Sequence, residues 1–268
     1  DKRARELHQR LERLHQAFTL GEFFLLYQPQ VNMRTGELMA VEALLRWQHP
    51  KQGLLTPDLF LPLAEKTGLI IPIGNWVINE ACRQLREWHL QGHQDWSMAV
   101  NLSTLQFEQP SLVKTVLDCL ALHQVPPEML ILEVTETTAM SNPDESVRVL
   151  TELTNAGVKA SIDDFGTGYS SLLYLKRLPA CELKIDRAFV QELSGESEDA
   201  TIVSAIVALA KTLNLKVVAE GVETEAQQAF LTELGCNTLQ GYLLGKPVSA
   251  QTIEALCARG EMLPGAEQ

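Results

Sequence analysis

The sequence predicts a closed (β/α)8 barrel of TIM type with one antiparallel strand near its N-terminus, on three observations. The chain has 268 residues, 46% of them hydrophobic, which is the usual size of a single barrel domain. Short β-branched apolar runs alternate with helix-like stretches along nearly the whole length, the mark of a mostly parallel sheet. The first two runs are instead joined by the tight turn Met33-Arg34-Thr35-Gly36, so one strand turns against the rest.

The elements follow in order. Phe23 to Asn32 and Leu38 to Trp47 read as the opening pair of strands. Helices are expected from Pro57 to Lys66, where Thr56-Pro57 supplies an N-cap and first turn, and from Ile73 to Leu90. Strand and helix then alternate. Strands are expected at Trp96 to Ser103, Met129 to Thr135, Lys159 to Asp164, Cys181 to Asp186, Lys216 to Gly221 and Thr238 to Leu244. The intervening and following helices are expected at Ser111 to His123, Asn142 to Ala156, Ser170 to Lys176, Asp199 to Leu213, Glu225 to Leu234 and Ala250 to Ala258. With the opening pair that makes eight strands, and eight in one domain favour closure over an open sheet. The absence of a glycine-rich dinucleotide or P-loop fingerprint points the same way.

Before the barrel, Leu7, Leu11, Leu14 and Phe18 recur at helical spacing among charged residues. Residues 1–20 are therefore read as an amphipathic helix that either packs on the barrel or links it to an upstream regulatory or sensory domain, residues 21–260 as the barrel, and 261–268 as a tail. A chain that opens at Asp1 reads as a fragment or a processed piece, whose full-length parent could itself be membrane-anchored.

Charge and cysteine usage narrow the function classes. A net charge of −12 opposes the coating of DNA or RNA duplexes, which relies on basic patches. An anionic substrate is still compatible, because bound cations can reverse the sign of a local site. Five scattered cysteines with no Cys-x-x-Cys pair suit reduced packing residues and a cytoplasmic domain. No apolar run approaches the length of a membrane span, and no signal-peptide pattern opens the chain.

The informative anomaly is polar. Glu42, Asn101, Glu133, Asp163, Lys184 and Glu220 each lie in an apolar strand-like run, where an unpaired carboxylate costs several kcal/mol. Alternation places Ala40, Glu42, Leu44 and Arg46 on one face, with Arg46 about 13 Å beyond Glu42 at roughly 3.3 Å per residue. The same alternation groups Ala99 with Asn101, Ile131 with Glu133, Ser161 with Asp163, Val218 with Glu220 and Thr238 with Gln240. In a barrel such side chains converge at the carboxyl ends of the strands, where barrel enzymes keep their chemistry. Asp163 and Asp164 are adjacent, so both can face one site only if their strand ends there.

Carboxylates with one amide and no histidine suit hard, oxygen-preferring ions such as Mg²⁺ or Mn²⁺ rather than zinc. Two such ions about 4 Å apart, bridged by one carboxylate, can activate water and steady both oxygens of a phosphodiester displacement. Asp163, with Asp164 beside it, is the bridging candidate.

These residues also resemble a known family. Glu42-Ala43-Leu44, Asn101-Leu-Ser, Glu133-Val-Thr-Glu136, Asp163-Asp164-Phe-Gly-Thr-Gly-Tyr-Ser-Ser, Leu-Lys184-Ile-Asp186, Glu220-Gly-Val-Glu223 and Gln240-Gly-Tyr match, in order, the motifs of the EAL-domain cyclic di-GMP phosphodiesterases. The resemblance runs from about Phe23 to Ala258. It implies a barrel that hydrolyses cyclic di-GMP to linear pGpG with two Mg²⁺ or Mn²⁺ ions, inhibited by Ca²⁺, and a homodimer. It implies that Glu42, Asn101, Glu133 and Asp163 hold the first ion, and that Asp163 and Asp164 hold the second with Glu220 near it. Lys184 would contact the attacking water or the phosphoryl oxygens. Either Lys184 or Glu220 could be the base, and chemistry favours Glu220, because an unshifted lysine is protonated at neutral pH. Gln28 and Arg46 would touch substrate, Gln240 would support the site, and Glu136 would hold the Asp-Phe-Gly-Thr-Gly loop, through which the family couples dimerisation to activity.

A catalytically silent receptor for cyclic di-GMP, acting through protein partners, is the alternative. Members that lost catalysis lack some of these acids, whereas here none is missing. An unrelated metal-dependent lyase or isomerase would share the acids but does not predict Arg46 together with the Asp-Phe-Gly-Thr-Gly loop.

Overall fold

The structure is a computed structural model, and it describes residues 1–168, 170–236 and 238–259. Eight strands close into a ring. In chain order they are β1 (Phe23–Asn32), β2 (Leu38–His49), β4 (Ser97–Asn101), β5 (Leu130–Thr135), β6 (Lys159–Phe165), β7 (Glu182–Ile185), β8 (Lys216–Ala219) and β9 (Thr238–Leu239). The hydrogen-bonded order is β1-β9-β8-β7-β6-β5-β4-β2, and β1 pairs again with β2 to complete the circle. β1 runs antiparallel to both of its neighbours, and the other ring pairs are parallel. The expected barrel with one reversed strand is thus present. A further short strand, β3 (Gly53–Leu55), pairs with the end of β2 outside the ring and was not anticipated.

The helices are α1 (Lys2–Thr19), α2 (Leu61–Thr67), α3 (Ile70–Leu90), α4 (Thr104–Phe107), α5 (Leu112–His123), α6 (Glu136–Ser141), α7 (Pro143–Asn155), α8 (Leu172–Arg177), α9 (Glu198–Thr212), α10 (Glu225–Glu233) and α11 (Ala250–Arg259). None among the described residues is long and apolar enough to cross a membrane. Several boundaries differ from expectation, three of them for identifiable local reasons. The helix expected from Pro57 is only a 3₁₀ turn, Pro57–Leu59, before α2 begins. α3 starts at Ile70, because a proline in its first turn leaves no interior hydrogen bond unmade. β9 stops after two residues because the chain at Gly241 runs against another backbone: a Cβ there would lie 2.2 Å from the carbonyl oxygen of Val222. The expected tail 261–268 lies outside the described residues.

α1 is tied to the barrel by its second half. Leu14 and Ala17 are fully buried, Arg13 bonds Glu22 at 2.5 Å, and its guanidinium lies 5.6 Å from the Trp47 ring centroid. Leu7, one turn and more toward the N-terminus, is 47% exposed.

The barrel interior is layered. Ala40, Ala99 and Ile131 form a small separate apolar cluster at its base. Two residues further along the same strands come Glu42, Asn101 and Glu133, so the period of two that sets the plug also sets the polar layer above it. Ser161 and Glu182 share the lower level, the serine hydroxyl donating to the carboxylate at 2.9 Å.

Candidate active site

The acids converge as the alternation requires. Oxygens of Glu42, Glu133, Asp163 and Glu220, from four strands or strand ends, all lie within 4.8 Å of one another. Into their midst comes Lys184 from β7, with no exposure at all. Its Nζ lies 2.8 Å from Glu133 Oε2, 2.7 Å from Glu220 Oε1 and 3.5 Å from Glu42 Oε2. A buried ammonium would ordinarily lose its proton, and burial does pull Lys184 down. The carboxylates of Glu133, Glu220 and Glu42 outweigh that pull and hold it well above the usual lysine range.

One cation does not balance four acids. Burial, reinforced by Glu42, raises Glu133 well above the carboxylate range despite Lys184. Burial raises Asp163 as well, and pushes Glu220 up to about 8 against the pull of Lys184. Glu42 goes the other way. Burial opposes it, but Lys184 and hydrogen bonds from Gln240 and Asn101 hold it below its ordinary value, so surplus protons rest on its neighbours. Among the described residues Glu133 Oε1 is buried with no hydrogen-bond partner. An excess of enclosed carboxylates with an orphaned oxygen fits a divalent cation, and an all-oxygen donor set without histidine fits a hard one.

Asn101 and Asp164 stand beside this tetrad rather than in it. Asn101 is exposed, and its Nδ2 donates to Glu42 Oε1 at 2.9 Å. Asp164 corrects the expectation that its strand must end. β6 runs on to Phe165, but its register with β7 shifts between Ile162 and Phe165, and Asp164 adopts φ +51°. This bulge, with a left-handed residue that aspartate tolerates better than most, turns the backbone so that Asp164 can stay near Asp163. Asp163 Oδ1 accepts from the Asp164 N–H at 2.8 Å. Burial and the nearby Asp163 and Asp186 push Asp164 up to about 7.

A glutamine chain braces the opposite wall. Gln240 Nε2 donates to Glu42 Oε2 at 2.6 Å and to Gln28 Oε1 at 2.9 Å, while its own Oε1 accepts from Gln30 Nε2 at 3.0 Å. Gln30, only 1% exposed, was missed in the sequence, although its spacing of two from Gln28 puts it on the same face. Above lies a groove of about 300 Å³ whose lining includes Gln28, Arg46, Arg187, Glu220 and Tyr242. Arg46 donates to the Leu45 carbonyl at 2.8 Å. A second cavity of about 340 Å³ reaches Asn101, Asp163 and Asp164 from the side of α2 and α3. Arg187 and Tyr242 carried no signal strong enough to single them out.

Glu136, at the start of α6, is buried and faces the loop after β6. Its Oε2 accepts from the Gly166 N–H at 2.7 Å and its Oε1 from Ser170 Oγ at 2.5 Å.

A profile of the EAL domain matches residues 11–247. The chain belongs to the EAL domain family. This EAL domain is 61% identical over 255 residues to the bifunctional diguanylate cyclase/cyclic di-GMP phosphodiesterase MucR of Pseudomonas aeruginosa, covering 95% of this chain and 37% of that protein. It is 46% identical over 252 residues to the cyclic di-GMP phosphodiesterase NbdA of the same organism, covering 94% of this chain and 32% of that protein. The chain therefore spans about a third of the length of these relatives. Among solved structures, the PaMucR phosphodiesterase in complex with c-di-GMP superposes with a TM-score of 0.89 at 62% identity, over 91% of this chain and 99% of that one.

Proposed function

We propose that this EAL domain hydrolyses cyclic di-GMP to linear pGpG in a divalent-metal-dependent reaction. The observation that carries the reading is the tetrad of carboxylates, three buried and Glu220 half-buried, gathered around Lys184 beneath an open groove. The likeness to MucR and NbdA supplies the substrate.

In this reading Glu42, Asn101, Glu133 and Asp163 hold one ion, Asp163 and Asp164 hold a second, and Glu220 lies near it. Mg²⁺ or Mn²⁺ suits these donors, and Ca²⁺, which prefers longer bonds and looser coordination, inhibits. When bound, such ions supply Lewis-acid polarisation of the phosphoryl group and make water a stronger nucleophile.

The residues of the chain do the rest. Gln28 and Arg46 bind the substrate, and Gln240 orients Glu42 and Gln28 through its two short donations. Lys184, kept protonated by its carboxylate neighbours, offsets negative charge on the phosphoryl oxygens. Glu220, whose Oε1 lies 2.7 Å from Lys184 Nζ at the lining of the groove, accepts the proton of the attacking water once its own has been lost on metal binding. The water oxygen bonds to phosphorus, the bond from phosphorus to one 3′ oxygen breaks, that oxygen takes a proton from solvent as it leaves, and Glu220 returns its own to solvent. Glu136 keeps the loop after β6 in its working position through Gly166 and Ser170.

The domain works in the cytoplasm, under an upstream regulatory domain of a longer parent, and as a homodimer coupled to that loop. Leu172 and Leu173, exposed at 64% and 67% just beyond the loop, support the dimer. The test is incubation with cyclic di-GMP and Mn²⁺, followed by chromatography for pGpG, with a chelator control. Binding without product would favour a receptor, and product formed in chelator would contradict the metal.

A further inference from the structure

Asn101 and Asp164 belong to two different loops that share one support. Asn101 ends β4, and only Leu102 and Ser103 separate it from Thr104, the first residue of α4. Asp164 precedes the loop after β6 and is bound to it, since its carbonyl accepts from the Thr167 N–H at 3.3 Å and from Thr167 Oγ1 at 2.6 Å. Between the two loops stands α6, a helix of only six residues. Its first residue, Glu136, takes the loop after β6 through Gly166 and Ser170. A Cβ on Gly168 would come within 3.4 Å of Thr137 Oγ1 and 3.5 Å of Glu136 Cδ, so that loop rests directly on the helix.

The third residue of α6, Thr138, is buried and reaches α4: its Oγ1 lies 2.6 Å from Thr104 Oγ1. Thr135, which caps α6 and pairs with Asp163 in the sheet, accepts from the Thr138 N–H at 3.2 Å and donates from its own Oγ1 to Thr138 Oγ1 at 3.0 Å. The Thr138 hydroxyl is therefore already an acceptor, and its hydrogen is left for Thr104. A helix this short does not hold its place by its own backbone bonds, so these side-chain bonds decide where it sits. Thr104, Thr135 and Thr138 line the same cavity of about 340 Å³ as Asn101, Asp163 and Asp164.

We propose that Thr138 is a positioning residue for the divalent cations, an assignment that presupposes the metal-dependent reaction proposed for this site. Its hydroxyl fastens the Asn101 loop to α6, and Glu136 fastens α6 to the loop that carries Asp164. One short helix thus sets the spacing between a ligand of the first ion and a ligand of the second. Residues behind a metal site act in this way by fixing the ligands in place. Loss of one neutral hydrogen bond of this kind corresponds to about three- to tenfold in affinity.

The test is calorimetric binding of Mn²⁺ to the whole chain, read beside hydrolysis of cyclic di-GMP. Thr138→Val keeps the branching of the side chain and removes the hydroxyl. It should weaken Mn²⁺ binding about three- to tenfold and raise the Mn²⁺ concentration for half-maximal turnover by the same factor, with KM for cyclic di-GMP at saturating Mn²⁺ unchanged. Thr138→Ser keeps the hydroxyl and should restore the parent affinity. Thr104→Val should match Thr138→Val, and the two together should lose no more than either alone, because one bond is broken in all three. Parent-like Mn²⁺ affinity in Thr138→Val, a deficit that serine does not repair, or losses that add in the double variant would each overturn the proposal. Should Thr138→Val not fold, Thr104→Val, at an exposed position, decides by the same measurements. A parent chain that binds no Mn²⁺, or that hydrolyses cyclic di-GMP in chelator, overturns instead the metal-dependent reaction itself.

Discussion

Lys184 and Glu133 form an ion pair from which water is wholly excluded: Nζ and Oε2 are 2.8 Å apart and neither side chain has any exposure. Removing Lys184 leaves the carboxylates around it, Glu42 above all, without their buried cation, which costs on the order of 3–5 kcal/mol. Lys184→Met is therefore expected to lower the melting temperature of the metal-free domain sharply and to abolish turnover. Because the four acids are left intact, Mn²⁺ should restore much of the stability. A variant that melts like the parent in chelator would refute the account of this pair.

Stability of the metal-free domain should fall as pH rises. The folded values of Asp164, about 7, and Glu220, about 8, both lie above their ordinary values of 3.8 and 4.5. Between those limits the native state binds more protons than the unfolded chain, so the slope of unfolding free energy with pH is negative. Their contribution is complete below about pH 4 and is lost by about pH 8. Metal affinity should run the other way, since ligands must shed protons. Urea unfolding across this range, in chelator and in Mn²⁺, would reveal both trends.

Glu220→Gln keeps the shape of the side chain and removes its basicity. It is expected to reduce kcat by about 10²–10⁴-fold with little change in KM. It should also flatten the alkaline loss of stability in chelator. Parent-like turnover would exclude Glu220 as proton acceptor.

Glu136 touches the loop after β6 through Gly166 and Ser170. Glu136→Ala should cost about 10–100-fold in turnover, as supporting groups around metal sites do, while leaving Gln28, Arg46 and Gln240 in place. Substrate affinity measured in Ca²⁺ should be near normal. A large loss of binding would mean that the residue acts on the groove itself.

Leu14→Ala tests whether α1 is part of the domain. Emptying a fully buried leucine site costs about 2–5 kcal/mol, so unfolding should shift to lower denaturant with activity per folded molecule unchanged. An unaltered midpoint would show that the helix does not rely on this contact.

The floor of the site was legible because acids in β-branched runs are costly: Glu42, Glu133, Asp163 and Glu220 betrayed themselves by neighbours such as Val41, Leu132, Ile162 and Ala219. The period of two then assigned them to one face. Features that depend on long-range packing were not legible. Nothing in Asp163-Asp164 announces a bulge with φ +51° at the second aspartate, since only the register of β7 against β6 demands it. β9 read as a longer strand because Leu243 and Leu244 continue the apolar run, whereas the backbone of Val222 bars it at Gly241. Nothing local to Gln30 singles it out; only Gln240, brought opposite it by the closed ring, gives it a role.

The bonds from Gln240 to Gln28 and Glu42 join positions 212 and 198 residues apart. They form the seam at which the ring shuts. A chain lacking the stretch from Gln240 onward presents its acids as an unsealed trough, so a truncation before Gln240 would forfeit the pocket whole.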